Sequence, residues 1–454
     1  MSNSLATTSL AQKYGAPVPR YTSYPTAPHF SKTIEGANYR SWLGALDDAD
    51  TLSLYLHVPF CDRLCWFCGC HTKQTLRYDP IATYVEHLLE EIDLVAEAVG
   101  GKPKVSGVHF GGGSPSMLEP DDLKRIVARL RKSFTFCEKP EISIEIDPGD
   151  ITPDRVAAMA EAGLSRASIG VQDFDEKVQE AINRPQSFEL TRDVIESMRE
   201  AGVHSVNLDV LYGLPHQTEA TLGATIEQVV SLAPDRVALF GYAHVPWMKT
   251  HMKMIDESAL ADIEGRFAQA QLAAALLVEA GFERIGFDHF ARPDDTMAIA
   301  AKNGRLRRNF QGYTDDPASA LIGMGASAIG ETAQGYVQNI VPTGLYMAAI
   351  KEGRLPIAKG FALGPEDIAR RWVIERLMCD MALSKTAATE KFGKLAEAIL
   401  LEAAELARND EDGLFVADGD VFLVTEAGRP FVRVLAAHFD TYLKQGKARH
   451  SVAV

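Results

Sequence analysis

Short apolar runs alternate with amphipathic stretches from about residue 51 to residue 285. Runs rich in β-branched or aromatic residues, each ending near Gly, Pro or a polar residue, fall at 52–58, 105–110, 142–146, 166–171, 205–211 and 236–242. Between them apolar positions recur at helical spacing over 81–99, 120–133, 153–162, 188–201 and 219–231. Start and stop signals agree with these bounds. Thr152-Pro153 sets an N-cap before a first-turn proline, and Gly163 and Gly202 stand where helices end. A longer helix, about 257–280, follows the sixth strand. Six strands alternating with helices predict an α/β fold with a parallel sheet and right-handed crossovers. Periodicity leaves open whether that sheet is flat or curled. In both forms ligands gather at the C-terminal ends of the strands.

After Gly286 the pattern changes. Residues 287–330 are dense in polar and aromatic residues and read as loop-like, including the runs 288–295 and 308–314. From Gly364 a helix over 365–381 leads to a hairpin through Asp418-Gly419, which resembles a winged-helix unit. The expected division is an N-terminal arm (1–50), a barrel-like body (51–285), flanking loops and connecting elements (286–360) and a small, mainly helical C-terminal domain (361–454) acting as a lid. No internal repeat or low-complexity tract is visible.

At 454 residues the chain exceeds one ordinary core, and 46% hydrophobic with 24% charged residues is a globular composition. No apolar run approaches a membrane span. Lys plus Arg is 46 against 61 Asp plus Glu, a net charge of −15, which opposes nucleic-acid or anionic-membrane binding. The winged-helix-like end, with ten basic and fifteen acidic residues over 361–445, is equally unsuited to DNA. Residues 1–15 hold no basic region followed by an apolar core, so no signal peptide is expected. Clustered thiols then fit a reducing cytosol and a metal site.

Four of the six cysteines lie in Cys61-Asp-Arg-Leu-Cys65-Trp-Phe-Cys68-Gly-Cys70. The first three have the spacing C-x3-C-x2-C. A structural zinc site closes its tetrahedron with four ligands, usually two separated C-x2-C pairs. A cubane iron–sulfur cluster on three cysteines leaves one iron open to a ligand. Zinc or reactive thiols remain the other readings of this spacing. Gly111-Gly112-Gly113 follows the second strand, and a turn without side chains lets backbone approach a ligand or simply turns tightly. Glu141, Ser143, Glu145 and Asp147 share one face of the third strand, an inward polar face that is costly unless it meets a ligand. Cys137 and Cys379 stand alone as small buried or half-buried residues.

The stretch 54–60 before the cysteines and 109–115 after them resemble the radical S-adenosylmethionine (SAM) enzymes. Within these the chain resembles the oxygen-independent coproporphyrinogen III oxidases, from Pro19 to about Leu443. The resemblance implies a partial six-stranded parallel (β/α) barrel. It implies a [4Fe-4S] cluster on Cys61, Cys65 and Cys68; ligation by Cys70 would close the open iron, so Cys70 is expected to lie outside the ligand set as a thiol beside the cluster. It gives the SAM at the open iron to Phe67 beside the adenine, Tyr55, Gly112 in the glycine turn, Glu145 and Ile329. A second SAM falls to Gln172, Arg184, Asp209 and Ala243, with Gly113 and Ser114. Apart from the family, Phe67 would be cluster-shielding packing, Ile329 plain core and Arg184 a surface arginine.

The arm around Pro19–Ala27, alone an extended surface segment, is implied to cover the active site, with Arg20, Arg292, Arg307 and Arg308 as candidates for substrate carboxylates. The implied reaction turns two propionates of coproporphyrinogen III into the vinyls of protoporphyrinogen IX in heme biosynthesis, through a 5′-deoxyadenosyl radical made from SAM. A cellular electron donor to the cluster is implied, and a monomer is expected. The rival is a heme chaperone of the same superfamily without oxidase activity; Cys70 and the arm favour the oxidase.

Overall fold

The computed structural model describes residues 10–443. Six strands form where the apolar runs place them: β1 Thr51–Val58, β2 Lys104–Gly112, β3 Thr135–Ile146, β4 Arg166–Gln172, β5 Ser205–Tyr212 and β6 Arg236–Gly241. They lie side by side in chain order and every pair is parallel. Helices Asp79–Val99, Pro120–Ser133, Pro153–Ala162, Phe188–Glu200 and Glu219–Ser231 carry the crossovers. Local chemistry fixes their ends. The Thr152 side chain accepts from Arg155 N, the Ser187 side chain from Leu190 N, and Gly163 adopts φ 84°.

Strand alternation sorts the residues between two faces. Leu54, Leu56, Phe110, Ile144, Ile169, Leu208 and Val237 are buried in the main core with the helices. Tyr55, His57, His109, Ser143, Glu145, Ser168, Asn207 and Asp209 occupy the alternate positions and bond to one another across the inner face. At the N-terminal ends this interior is filled by charge. Arg166 pairs with Glu141 (2.7 Å), and Arg236 with Asp295 (2.8 Å) and Asp315 (3.4 Å). The lower interior is thus filled by these ion pairs, and the C-terminal ends form the mouth.

The sheet continues on both sides through short strands: β7 Glu283–Ile285, β8 His289–Ala291, β9 Ala320–Met324, β10 Ile329–Thr332, β11 Gly335–Asn339 and β12 Ile357–Ala362. The order is β12-β11-β10-β9-β1-β2-β3-β4-β5-β6-β8-β7, with β9 parallel to β1 and the other additions antiparallel. The stretch 287–330, read as loop, therefore holds β8, helix Thr296–Lys302 and β9. Three- to five-residue strands are too short to establish a period, and all five residues of β9 are buried, which erases alternation. The helix expected from 257 begins at Ile263. Asp262 caps it by accepting from Gly265 N, while Glu257–Ala259 is a separate 3-10 turn capped by Asp256.

Helices Pro365–Asp380, Lys385–Phe392 and Lys394–Asn409, with a three-stranded sheet of Ala382–Ser384, Phe415–Asp418 and Val421–Val424, make the small domain. Its core of Leu377, Phe415, Phe422 and Phe431 also contains Ala11, Val18, Tyr21 and Tyr24 of the arm. Tyr21 Oη donates to Asp440 (3.0 Å), Tyr24 Oη meets Thr441 Oγ1 (3.0 Å) and Arg433 Nε donates to the Pro19 carbonyl (3.1 Å). The arm is thus part of a second core and not a surface segment. Residues 1–9 of the expected arm and 444–454 of the expected C-terminal domain lie outside the described residues.

Candidate active site

The loop between β1 and helix Asp79–Val99 carries the cysteines across the mouth. A short parallel pair, Phe60–Cys61 with Lys73–Gln74, closes its base. Neighbouring elements pin its crown. Trp66 N donates to the Ile182 carbonyl (2.9 Å), Asn183 Nδ2 to the Leu64 carbonyl (2.9 Å), His251 Nε2 to the Cys68 carbonyl (2.8 Å) and Lys249 Nζ to the Cys70 carbonyl (2.8 Å). Cys65 is buried, Cys61 and Cys68 half-buried and Cys70 exposed. Burial pushes the Cys61 thiol up, and the thiols of Cys68 and Cys65 push it further, so the three share one space. Cys68 is pulled down to about 7, first by the Cys70 thiol and then against burial, with Lys249 and Arg184 assisting. The thiolate is thus favoured at Cys68, while burial holds the Cys65 thiol up against the neighbouring Arg184. Among the described residues no three His, Cys, Asp or Glu side chains stand close enough to hold one metal ion.

Phe67, with Trp66, packs on the apolar cluster of Val178, Ile182, Leu211 and Tyr242 below the crown. The glycine turn is wedged under the loop. A Cβ on Gly112, which has φ 114°, would lie 2.5 Å from the His57 ring, and one on Gly113 would lie 2.5 Å from the Phe60 carbonyl oxygen. Gly112 N donates to Glu145 Oε2 (3.0 Å), and His109 Nε2 donates to Glu145 Oε1 (3.4 Å). Burial works to raise the Glu145 carboxyl, but His109 and the Gly112 N–H outweigh it and hold the group below its usual range. His57 is held neutral, mainly by burial, near 4. Its Nε2 donates to the His71 carbonyl (3.0 Å), so its Nδ1 accepts from Tyr55 Oη (3.0 Å). Tyr55, Glu145, Gly112, Cys70 and Ile329 line one cavity of about 270 Å³, together with Phe310 and Gln311.

The other predicted residues gather around Gly170. A Cβ there would lie 2.9 Å from Gln172 Nε2 and 3.0 Å from Arg184 Nη2, and Asp209 is its register partner on β5. Gln172 adopts φ 66°, turning the chain sharply at the end of β4. Arg184 is buried, not a surface arginine. Its Nη1 donates to Asp147 Oδ2 (2.9 Å) and lies 3.6 Å from Cys65 Sγ, while Nη2 donates to the Gly170 carbonyl (3.1 Å). Asp209 accepts from Asn207 Nδ2 (2.8 Å) and Ser168 Oγ (3.2 Å). Burial, then the charge of Glu145, lifts it to about 6. Ala243 follows β6 at the same rim, half-buried. Ser114 is buried with its hydroxyl turned to Asp150 and Ser116, its N–H donating to the Phe60 carbonyl (2.7 Å) and its own carbonyl accepting from Met117 N (2.9 Å).

The candidate arginines separate. Arg20 reaches the Gly241 carbonyl at the mouth (2.9 Å), and Arg308 Nη2 donates to the Arg20 carbonyl (3.2 Å). Arg307 pairs with Glu375 (3.6 Å). Arg292 does not join them. It follows β8 at the N-terminal end of β6, where its guanidinium stacks 4.0 Å from the Phe282 ring centre and donates to the Ala280 carbonyl (3.0 Å). His57 and His109, which position Tyr55 and Glu145, were not singled out from sequence, and Asp147, expected on the inward polar face of the third strand, instead pairs with Arg184 (2.9 Å). Extending the period-two reading of β3 to β1 and β2 places both histidines on the inner face beside Glu145.

Comparison with known proteins bears on this geometry. Residues 55–229 match the model of the Radical SAM superfamily, and 363–431 that of the HemN C-terminal domain. An oxygen-independent coproporphyrinogen III oxidase of Bradyrhizobium diazoefficiens is 48% identical, over 98% of this chain and 99% of that relative. "Coproporphyrinogen III oxidase, anaerobic 1" of Cereibacter sphaeroides is 47% identical, over 97% of each chain. The solved structure of coproporphyrinogen III oxidase (HemN) from Escherichia coli superposes with a TM-score of 0.89 at 37% identity, covering 93% of this chain and 97% of that one.

Proposed function

The chain belongs to the oxygen-independent coproporphyrinogen III oxidases of the radical SAM superfamily, and from that premise we propose that it converts two propionates of coproporphyrinogen III to vinyls, yielding protoporphyrinogen IX for heme synthesis. Each conversion removes one carboxyl group as CO2 together with one hydrogen atom, taken up as 5′-deoxyadenosine, and one electron, which passes to a terminal electron acceptor. The observation that carries this reading is the joining of the thiol loop to the Glu145 cavity. Cys70, two residues past Cys68, lines the same 270 Å³ space as Tyr55, Glu145 and Ile329.

Cys61, Cys65 and Cys68 suit a [4Fe-4S] cluster with one open iron, beside a cavity fit for SAM. When bound, cluster and SAM supply a 5′-deoxyadenosyl radical to the substrate. The chain's residues bind, orient and keep water out. Glu145, fixed by His109 and the Gly112 N–H, presents an ionised carboxylate suited to the SAM ammonium. Tyr55 is fixed by neutral His57, and Ile329 supplies apolar packing. Gln172, Arg184, Asp209 and Ala243, with Gly113 and Ser114, form a second SAM site at the same rim. Arg184 acts there as the charged tie between Asp147, Cys65 and Gly170. Phe67 shields the loop crown and lies close enough in sequence to both flanking thiols to meet the adenine.

An electron donor reduces the cluster, the enzyme works as a monomer, and its thiols suit a reducing cytosol. Among the described residues no helix is long and apolar enough to cross a membrane. The test is an anaerobic assay of reconstituted protein with SAM, dithionite, coproporphyrinogen III and cell extract as the source of the terminal electron acceptor. Two CO2 per protoporphyrinogen IX are expected. A full cluster and SAM binding without any decarboxylation would overturn the reading.

A further inference from the structure

β6 ends at Gly241, and the chain then folds into a small knot before helix Ile263–Glu279 begins. Met248 N and Lys249 N both donate to the Val245 carbonyl (2.9 and 3.0 Å), Val245 N donates to Met252 Sδ (3.3 Å), and Thr250–Met254 forms a 3-10 turn. The knot is held from below. Tyr242, Met252 and Ile255 are buried in one apolar cluster, and Trp66 and Phe67 of the cysteine loop pack on that same cluster. From the knot His251 reaches the Cys68 carbonyl and Lys249 the Cys70 carbonyl. It therefore sits directly against the stretch that bears the third and fourth cysteines of the loop.

Its outer surface is apolar. Trp247, Met248 and Met254 are 50%, 65% and 60% exposed, while buried residues do the anchoring. Folding does not reward a large apolar side chain left in water, and several of them together beside a reactive loop mark a surface that meets a partner. Trp and Met are also residue types enriched at the centres of protein interfaces. Charge narrows the partner. The chain carries a net −15, yet residues 243–254 hold Lys249 and Lys253 and no acidic residue. The carboxylates that follow are engaged: Glu257 accepts from His244 Nε2 (2.9 Å), and Asp256 caps the turn Glu257–Ala259. An acidic protein is repelled by the molecule's net charge and drawn to this patch.

We infer that this knot is the docking surface for the carrier that reduces the cluster, and that the carrier is a small acidic flavin protein. The dimethylbenzene edge of a flavin is flat and apolar, and it matches an indole ring flanked by two thioethers. A flavin docked there is separated by one apolar cluster from Trp66 and Phe67, which stand between Cys65 and Cys68 in the loop. At each encounter the carrier's reduced flavin gives up one electron and the cluster takes it; no covalent bond forms or breaks. A patch this small gives a weak, short-lived complex, which suits a carrier that must leave after each electron. The inference rests on the cluster proposed above and adds the partner's chemistry and its seat.

The test uses the full-length anaerobic holoprotein and a recombinant bacterial flavodoxin, kept oxidised so that no electron moves while binding is measured by calorimetry. Wild type is expected to bind at low salt and to weaken about tenfold when salt is raised to about 0.3 M. Lys253→Glu and Trp247→Ala should each weaken binding about tenfold, the first chiefly at low salt and the second at every salt concentration. Both side chains are exposed, so iron content and dithionite-driven turnover should stay as in wild type. Reduction of the cluster by reduced flavodoxin, followed by electron paramagnetic resonance, should slow in step with binding. Variants that bind flavodoxin as tightly as wild type, or that lose dithionite-driven turnover along with binding, would overturn the docking surface. So would a wild type that turns over with dithionite yet binds no flavodoxin. A wild type without dithionite-driven turnover would instead overturn the function on which the inference rests.

Discussion

Cys70 has the look of a fourth ligand in sequence, yet its surroundings give it another place. It is exposed, its N–H points to Cys68 Sγ (3.4 Å), and it lines the Glu145 cavity. Ligation by Cys70 would close the iron that must stay open for SAM. Cys61→Ser, Cys65→Ser or Cys68→Ser should therefore lose most of the iron and sulfide measured on anaerobic protein, while Cys70→Ser retains about four of each. A cluster lost with Cys70→Ser would make Cys70 a ligand. Asp209 gives a second expectation. Equilibrium binding should count two SAM per chain, and Asp209→Ala should remove or weaken one class. Because burial and Glu145 lift Asp209 to about 6, it takes up a proton as pH falls through that value. Affinity of the second class should then fall below about pH 6 in wild type and stay flat in Asp209→Ala; one SAM at saturation would refute the site. At this scale the thiols were legible because their spacing is local. His57, His109 and the partnership of Asp147 with Arg184 were not, because they depend on cross-strand register and on a turn far along the chain.

The six main strands and five crossover helices were legible because each carries its own period, and three of the helices, at Pro153, Phe188 and Glu219, also carry side-chain N-caps. β8 to β12 were not, being short and, for β9, fully buried. What attaches them is a polar junction no pattern announces. Glu91, on the inner side of helix Asp79–Val99, is 1% exposed and accepts from Tyr346 Oη (2.6 Å), Asn339 Nδ2 (2.8 Å) and Gly325 N (2.6 Å). One carboxyl thus ties the first crossover helix to β11, to the turn after β9 and to helix Thr343–Lys351. Burial outweighs the three donors and lifts it to about 7, above an unfolded value near 4.3. Between those values the folded chain holds a proton the unfolded chain has released, so stability falls as pH rises through the window and levels off above 7. The full effect is about 3 kcal/mol. Urea unfolding of wild type and Glu91→Gln at pH 5 and pH 8 checks this. The difference between the two proteins should change by an amount of that order, and an unchanged difference would mean that the carboxyl titrates alike in both states.

The whole molecule is held together by a segment that sequence alone places on the surface. An extended run with few apolar residues gives no period, and its partners lie some four hundred residues away, so burial of the arm could not be read locally. Tyr24 is the hinge pin of this arrangement. Its ring is 1% exposed within the second core, its edge meets Tyr442 at 5.8 Å, and its backbone N–H reaches Tyr336 Oη on β11 (3.5 Å). Removing such a ring costs about 3–5 kcal/mol. Most of that loss should fall on the C-terminal domain and its seat, since the main core, built from β1–β6 and their helices, does not include Tyr24. Tyr24→Ala is therefore expected to split thermal unfolding into two transitions, the earlier one releasing the C-terminal domain to protease. Iron and sulfide content should stay unchanged, because the cysteine loop is anchored by β1, helix Glu176–Ala181 and the segment after β6. Tyr24→Phe removes only the hydroxyl contact to Thr441 and should cost about 1 kcal/mol. A single, unshifted transition in Tyr24→Ala would mean that the arm only rests on the second core, and deletion of the whole arm would then be tolerated by the fold.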